Sequence, residues 1–434
     1  MGARETALNV LIACRKNGAW SNAVLKEYAA RDGLDRREAA LATRLCYGVL
    51  QNRGKLDFYL AQLLTGKLKD LHPALRDILH LGLYQMYEMD KIPQSAAVNE
   101  SVSLARKYCA RQKFAPGLVN AVLRNAQRRE KELLQPSLLK DKYSHPQELI
   151  DLLTDYVGTQ RIEKVLASHN TAPDTVVQVN TNRISTGELV KRLEEAGVTA
   201  VMHPWLADCL VLSGTGNLER LSAFREGLFY VQDAAARLSV RCAGVSGQRV
   251  LDCCGAPGGK SFAAVLDGAK QVFTCDVHAH KTTLIAEGAK RLGMDNITVH
   301  LHDATALREE WVDTMDCVIA DVPCSGYGII RKKPDIRYKD PKEMAQLPQL
   351  QLQILQTVSR YVKPGGTLLY STCTLVRQEN EDVVQRFLKD HPAFTPEPLC
   401  LPACFPENST GMLALVPGEY DTDGFFICKM RRKA

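Results

Sequence analysis

Two cysteines and four acids hold most of the chemistry that this sequence can do. "DVPCSGYG" (residues 321–328) and "STC" (371–373) each set a cysteine, Cys324 and Cys373, just past a run that reads as a sheet strand. A thiol in that place faces whatever the sheet binds, and as a thiolate it is a strong nucleophile. One such cysteine alone is more often a buried filler. Two on one rim, beside the acid of Asp321, point to nucleophilic catalysis. Four successive strand-like runs end in an acid, Asp252, Asp276, Asp303 and Asp321. Each one singly would pass as a turn or helix cap; together they mark a shared ligand-facing rim.

The first of those acids opens "LDCCGAPGGKS" (251–261), which stops one residue short of a phosphate loop. The pattern G-x-x-x-x-G-K-[ST] needs a glycine at 254 and finds Cys254. Pro257 removes a further backbone donor from the loop. The turn Cys254-Gly255-Ala256-Pro257-Gly258-Gly259-Lys260 instead lets the backbone approach a flat or extended ligand. Asp276 then ends the next strand, where an acid accepts from ribose hydroxyls. A nucleoside without phosphates suits both features. S-adenosylmethionine is such a ligand, with Asp276 for its ribose and Asp303 near its base. Lys260 would face a carboxylate or anchor the loop.

These residues need a doubly wound sheet to bring them together, and residues from about 229 onward have that rhythm. Strand "RVLDC" precedes helix "KSFAAVLDG", strand "QVFTCD", helix "HKTTLIAEGAKRLG" and strands "ITVHLHD" and "DCVIAD". A long helix at about 342–362, strand "GTLLYST", helix "NEDVVQRFLKD" and a closing pair, "MLALV" and "GFFICKM", follow. "VKPGG" (362–366) reads as a turn into the "GTLLYST" strand. The expected architecture is an α/β, Rossmann-like, mostly parallel sheet over 229–434, with the ligand outside the carboxyl ends of the strands. Residues 1–140 carry apolar spacings of three and four and read as an all-α bundle. Residues 141–228 read as a small α+β domain, and the polar stretch at 128–147 as a linker.

Net charge is +6 but uneven: residues 1–140 hold 23 Lys/Arg against 13 Asp/Glu, the remainder 32 against 36. A basic front part fits a polyanion-binding module, or simply solvated helix faces. The run "RKKPDIRYK" (331–339) brings Arg331, Lys332, Lys333, Arg337 and Lys339 next to the Cys324 loop, which suits phosphate contact. Fourteen cysteines form no C-x-x-C pair and no zinc set, so reduced thiols and a cytoplasmic setting are expected. No apolar stretch is long enough for a membrane span, and the expectation is a chain without a membrane, a monomer rather than an oligomer.

"CGAPGGK", "DVPCSGYG" and "STCT", with "YVQDAAAR" (230–237) as a fourth, resemble the signature motifs of the RNA 5-methylcytosine methyltransferases. The basic helical front end resembles a NusB-like RNA-binding domain. Together they resemble the bacterial 16S rRNA cytosine-C5 methyltransferases of the RsmB (Sun/Fmu) type, over nearly the whole chain. Two departures stand out: Gly255 and Val322 occupy places where the family more often has alanine. The resemblance implies S-adenosylmethionine as cofactor, ribosomal RNA of the small subunit as partner, and methyl transfer to cytosine carbon 5. It gives Cys373 the attack on carbon 6, Cys324 the assistance of product release, and Asp321 a proton held at ring nitrogen 3. Residue chemistry alone leaves the two cysteines interchangeable, since DNA cytosine methyltransferases use the Pro-Cys position, here Cys324. It also leaves transfer RNA, or a non-catalytic role in RNA handling, as alternatives.

Overall fold

A computed structural model describes residues 2–17 and 20–434, and its contacts divide the chain into two units. The first comprises Met1–Thr171 with Ile330–Lys339, the second Ala172–Ile329 with Asp340–Ala434. Among the described residues, no helix is long and apolar enough to cross a membrane.

The first unit is helical, as its spacing predicts. Helices Ala3–Asn17, Ser21–Arg31, Arg36–Leu63, Pro73–Glu88, Gln94–Tyr108 and Ala115–Arg128 enclose one core that includes Leu8, Leu45, Leu60, Ile78, Leu83 and Leu123. Starts are set locally: Asp35 caps the longest helix by accepting from Glu38 N at 2.8 Å, and Pro73 opens the next. The stretch expected to be a linker is packed instead. Leu133 is buried, Tyr59 donates to Gln135 at 2.7 Å, and Ser144 Oγ accepts from Lys55 N at 3.0 Å. Gln135 and Ser144 serve the neighbouring helix, while Glu130, Lys131, Glu132 and Lys140 stay exposed. Two further helices, Gln147–Val157 and Ile162–Ser168, complete the unit.

The second unit holds two sheets. Strands β1 (Thr175–Val179), β2 (Thr199–His203), β3 (Leu206–Ser213) and β4 (Phe229–Val231) form an antiparallel sheet in the order β2-β3-β1-β4. Helix Thr186–Glu195 covers it from a capping box between Ser185 and Glu188. Residues 229–231, read from sequence as the opening of the catalytic domain, pair with β1 and so finish this smaller sheet.

The larger sheet is built from β5 (Arg249–Asp252), β6 (Gln271–Asp276), β7 (Ile297–Leu301), β8 (Met315–Asp321), β9 (Val362–Thr372), β10 (Phe394–Pro396), β11 (Met412–Leu415) and β12 (Phe425–Arg432). Its order is β10-β12-β9-β8-β5-β6-β7, with β11 also on β12. Strands β7 to β9 in that path pair in parallel, and β12 joins antiparallel. "VKPGG" belongs to β9 itself, and the expected long helix is a short one, Pro341–Met344, followed by Leu347–Ser359. Apolar cores cover both faces, one around Phe262 and Ile285, the other around Trp311 and Phe387. Strand order reverses between β5 and β8, so their carboxyl ends bound the crevice where such sheets take ligands.

Candidate active site

The glycine turn leaves β5 and is stitched to its neighbours through the backbone. Cys253 N–H donates to Ile319 O at 3.0 Å and Gly255 N–H to Cys275 O at 2.7 Å, which ties the turn to β8 and to the end of β6. Gly258 N–H is taken by Gly255 O at 2.6 Å. With Pro257 lacking a donor, three positions of the turn therefore offer nothing to a phosphate, in keeping with the reading of the shortened loop. Gly258 has φ +111°, a conformation that side chains rarely adopt, and a Cβ there would strike the Phe262 ring.

Facing the turn is Gln232, two residues before the helix Ala234–Ala243. Between them lies a cavity of about 210 Å³, lined among others by Gln232, Asp252, Gly255, Pro257, Lys260 and Asp321. Asp252 is fully buried there. Its Oδ2 accepts from Ser261 Oγ at 2.7 Å, while Oδ1 has no hydrogen-bond partner among the described residues. Burial pushes its carboxyl up to about 6. An acceptor left open in a glycine-walled cavity fits a ligand that brings its own donor, as the amino group of S-adenosylmethionine does. The cofactor and the residues present are compatible.

Asp276, buried at the end of β6, accepts from His278 N at 2.9 Å, with Lys281 Nζ at 3.8 Å. Asp303 is exposed, and its Oδ1 accepts from the Thr305 amide and hydroxyl, both at 2.8 Å. Those two bonds hold its carboxyl below the usual range. Neither acid lines the 210 Å³ cavity; both stand on the same rim, past it.

On the β8 side the site becomes reactive. The parallel register sets Asp321 directly against Ser371, and Ser371 Oγ donates to Asp321 Oδ1 at 2.8 Å. Lys260 Nζ donates to Asp321 Oδ2 at 2.6 Å. Lys260 is almost wholly buried. Burial opposes its charge, yet Asp321, Asp252 and Cys373 together hold its pKa above the ordinary lysine value. Both oxygens of Asp321 thus act as acceptors.

Cys324 and Cys373 meet. Their sulfurs are 3.2 Å apart, and Cys373 N–H donates to Cys324 Sγ at 3.3 Å. The contact with Cys373 and burial push the Cys324 thiol well above its ordinary value. Glu379 Oε2, buried, accepts from Ser325 N at 2.9 Å and from Gln351 Nε2 at 2.8 Å, and Gln351 also donates to Pro323 O at 2.9 Å. Ser325 Oγ lies 2.7 Å from Thr374 Oγ1, which joins the two cysteine loops. Sequence reading passed over Ser371, Glu379, Gln351 and Gln232. Ser371 carried a signal as the residue two before Cys373, and Gln232 as part of "YVQDAAAR".

Within the basic run 331–339 the structure corrects the reading of the two arginines. Arg337 is 2% exposed, and its guanidinium donates to the carbonyls of Gln51, Tyr143, Ser144 and His169 and to Asn170 Oδ1, all within the helical unit. Arg331 is buried as well. Neither side chain is open to phosphate, because Arg337 satisfies carbonyls that would otherwise be unpaired. Lys333 and Lys339 lie over the Trp20 ring at 5.7 and 4.4 Å. All fourteen cysteines are free.

A parallel sheet with this strand order, a glycine turn at the β5/β8 reversal and an acid-and-thiol rim define an S-adenosylmethionine-dependent methyltransferase. Comparison with known proteins narrows the class. The chain belongs to the 16S rRNA methyltransferase RsmB/F family: residues 242–431 match that family's description, 1–128 the NusB family, and 145–219 the RsmF/B-like ferredoxin-like domain. It is 36% identical to the probable ribosomal RNA small subunit methyltransferase B of Bacillus subtilis, covering 99% of this chain and 98% of the relative. It is 32% identical to the ribosomal RNA small subunit methyltransferase B of Vibrio vulnificus, over the whole of both. Among solved structures, PH0851 superposes with a TM-score of 0.79 at 24% identity, covering 100% and 99% of the two chains. NSun6 from Pyrococcus horikoshii, solved with SFG, gives 0.60 at 19%, covering 67% and 98%.

Proposed function

We propose that this chain methylates carbon 5 of a cytosine in small-subunit ribosomal RNA through a covalent adduct with Cys373. The observation that carries the reading is the 3.2 Å pair of sulfurs beside the Lys260–Asp321 ion pair, on adjoining strand ends. The full-length relatives named for the small subunit favour ribosomal over transfer RNA.

S-adenosylmethionine supplies an electrophilic methyl on sulfur, and residues 254–260 with Asp276, Asp303 and Asp321 would hold it. Carbon 5 of cytosine is too weak a nucleophile to take that methyl unaided. Cys373, as thiolate, adds to carbon 6. The displaced electron pair makes the ring an enamine, and a proton is taken up at nitrogen 3. Asp321, oriented by Lys260 and Ser371, would relay that proton from the Lys260 ammonium to nitrogen 3. Once carbon 5 carries the methyl, its proton would pass to a solvent base, and the carbon–sulfur bond breaks to return Cys373 as thiolate, with Cys324 beside it assisting that release.

Residues 1–140 would bind RNA, 141–228 would present it, and 229–434 would carry out transfer in the cytoplasm, with Lys332 and Lys333 as the remaining phosphate contacts of their run. Denaturing gels with labelled RNA test the roles. Cys324→Ala is expected to accumulate a stable protein–RNA adduct, and Cys373→Ala to form none and to turn over nothing. An adduct that requires Cys324 and survives loss of Cys373 would reverse the assignment.

A further inference from the structure

Residues 101–129 contain seven Lys/Arg and no Asp/Glu, the acids Glu100 and Glu130 lying just outside. The stretch spans most of helix Gln94–Tyr108, the turn after it, and helix Ala115–Arg128. Apolar residues such as Leu104, Val119 and Leu123 face the core, which leaves Arg106, Arg111, Lys113, Arg124 and Arg128 exposed. Lys107 is matched by Glu5. Arg106, Arg111, Lys113 and Arg128 have no acidic partner among the described residues. A concavity of about 490 Å³ opens between the two helices, lined by Asn99, Ser103, Arg106 and Asn120 among others. In the connecting turn Phe114 is 62% exposed, beside Arg111 and Lys113 in sequence.

A solvated helix face would mix its signs or bury its aromatics. This one sets Arg106 with amide and hydroxyl groups around a hollow of nucleotide size that reaches Pro116 and Gly117, and the turn just before those residues carries Arg111, Lys113 and an aromatic ring left in water. We propose that this face, centred on Phe114, binds a single-stranded segment of RNA, with one unstacked base against the Phe114 ring and backbone phosphates on Arg106, Arg111 and Lys113. Only an unpaired base offers a face for stacking, which sets single strand apart from duplex. The inference rests on the proposed RNA substrate and names where the helical part would grip it.

The test is binding of the full chain to a fluorescent 20-nucleotide RNA, single-stranded or as a duplex, across a salt series. Arg111→Glu with Lys113→Glu should lower the slope of log affinity against log salt by about 1.4, from ~0.7 per single-strand phosphate contact. Phe114→Ala should leave the slope unchanged while weakening single-strand affinity about 5- to 150-fold, and Phe114→Trp should restore it. Lys67→Glu with Lys69→Glu, outside the acid-free stretch, should keep the slope. All these positions are exposed, and thermal melts verify folding. An unchanged slope in Arg111/Lys113, an equal change in Lys67/Lys69, or duplex binding that falls equally with Phe114→Ala each overturns the proposal. Methyl transfer to ribosomal RNA by the unaltered chain is measured alongside. If that fails while the slope still responds, the catalytic reading falls and this face stands; if transfer proceeds and the slope does not respond, the face alone falls.

Discussion

Gly255 occupies a position where the resemblance leads one to expect alanine, and the structure supplies a reason that can be tested. A Cβ built on Gly255 would approach Thr274 Oγ1 far inside the 3.0 Å that real Cβ atoms respect, and would sit 3.1 Å from the Asp252 carboxyl. Thr274 is fully buried on β6, and its hydroxyl has no partner among the described residues. The threonine oxygen therefore fills the volume that an alanine methyl would take. Gly255→Ala forces either Thr274 off its rotamer or the turn away from β6, against the Gly255–Cys275 hydrogen bond. Overpacking of this kind costs about 1–3 kcal/mol. If the strain falls on the turn, cofactor affinity drops by about 5- to 150-fold, since ~1.4 kcal/mol is tenfold. Thr274→Ala removes the obstructing atom, so the double variant Gly255→Ala/Thr274→Ala should regain the loss to within about threefold. Calorimetric titration with S-adenosylmethionine on the four proteins closes the cycle. Unaltered affinity and stability in Gly255→Ala, or a double variant no better than the single, would refute the packing argument.

Three further outcomes follow from the same site. Burial lifts the Asp252 carboxyl from 3.8 to about 6, so its ionisation weakens the fold: the stability present below pH 4 is lost as pH rises through 6. Denaturant unfolding should show Asp252→Asn gaining about 3 kcal/mol on the unaltered chain between pH 4 and 7, from ~1.36 kcal/mol per pH unit, and parallel pH profiles would contradict it. Lys260→Met removes the cation from Asp321, and single-turnover methylation should slow by about a hundredfold or more while the protein still folds; a rate within threefold would remove Lys260 from the chemistry. Glu379→Ala leaves the Ser325 amide without an acceptor at the base of the Cys324 loop, which should cost about 1–3 kcal/mol and reduce turnover, whereas Glu379→Gln should recover both. Equal behaviour of the two variants would show that the carboxylate charge, and not the hydrogen bond, matters.

What could be read from sequence, and what could not, divides along the range of the interactions involved. Alternating strands and helices from β5 onward were legible because each element carries its own periodicity, and the acids and cysteines that end the strands fall on one rim once the strands run parallel. Ser371 was adjacent in the text yet its duty was hidden. It serves Asp321 only because β8 and β9 align those residues across fifty positions of chain, a register that local pattern does not carry. Glu379 and Gln351 are further cases, reaching the Cys324 loop from separate elements. Charge was the poorest guide. In "RKKPDIRYK" the densest cations include two buried arginines, one engaged by five backbone and side-chain oxygens. The sparser cations of 101–129 remain in water because the helical spacing gives the inward positions to Leu104, Val119 and Leu123. A run of charge in a loop says nothing about which side of the chain meets solvent, while charge laid on an amphipathic helix does. An RNA surface here is therefore better sought where periodicity assigns the face than where the letters are most basic.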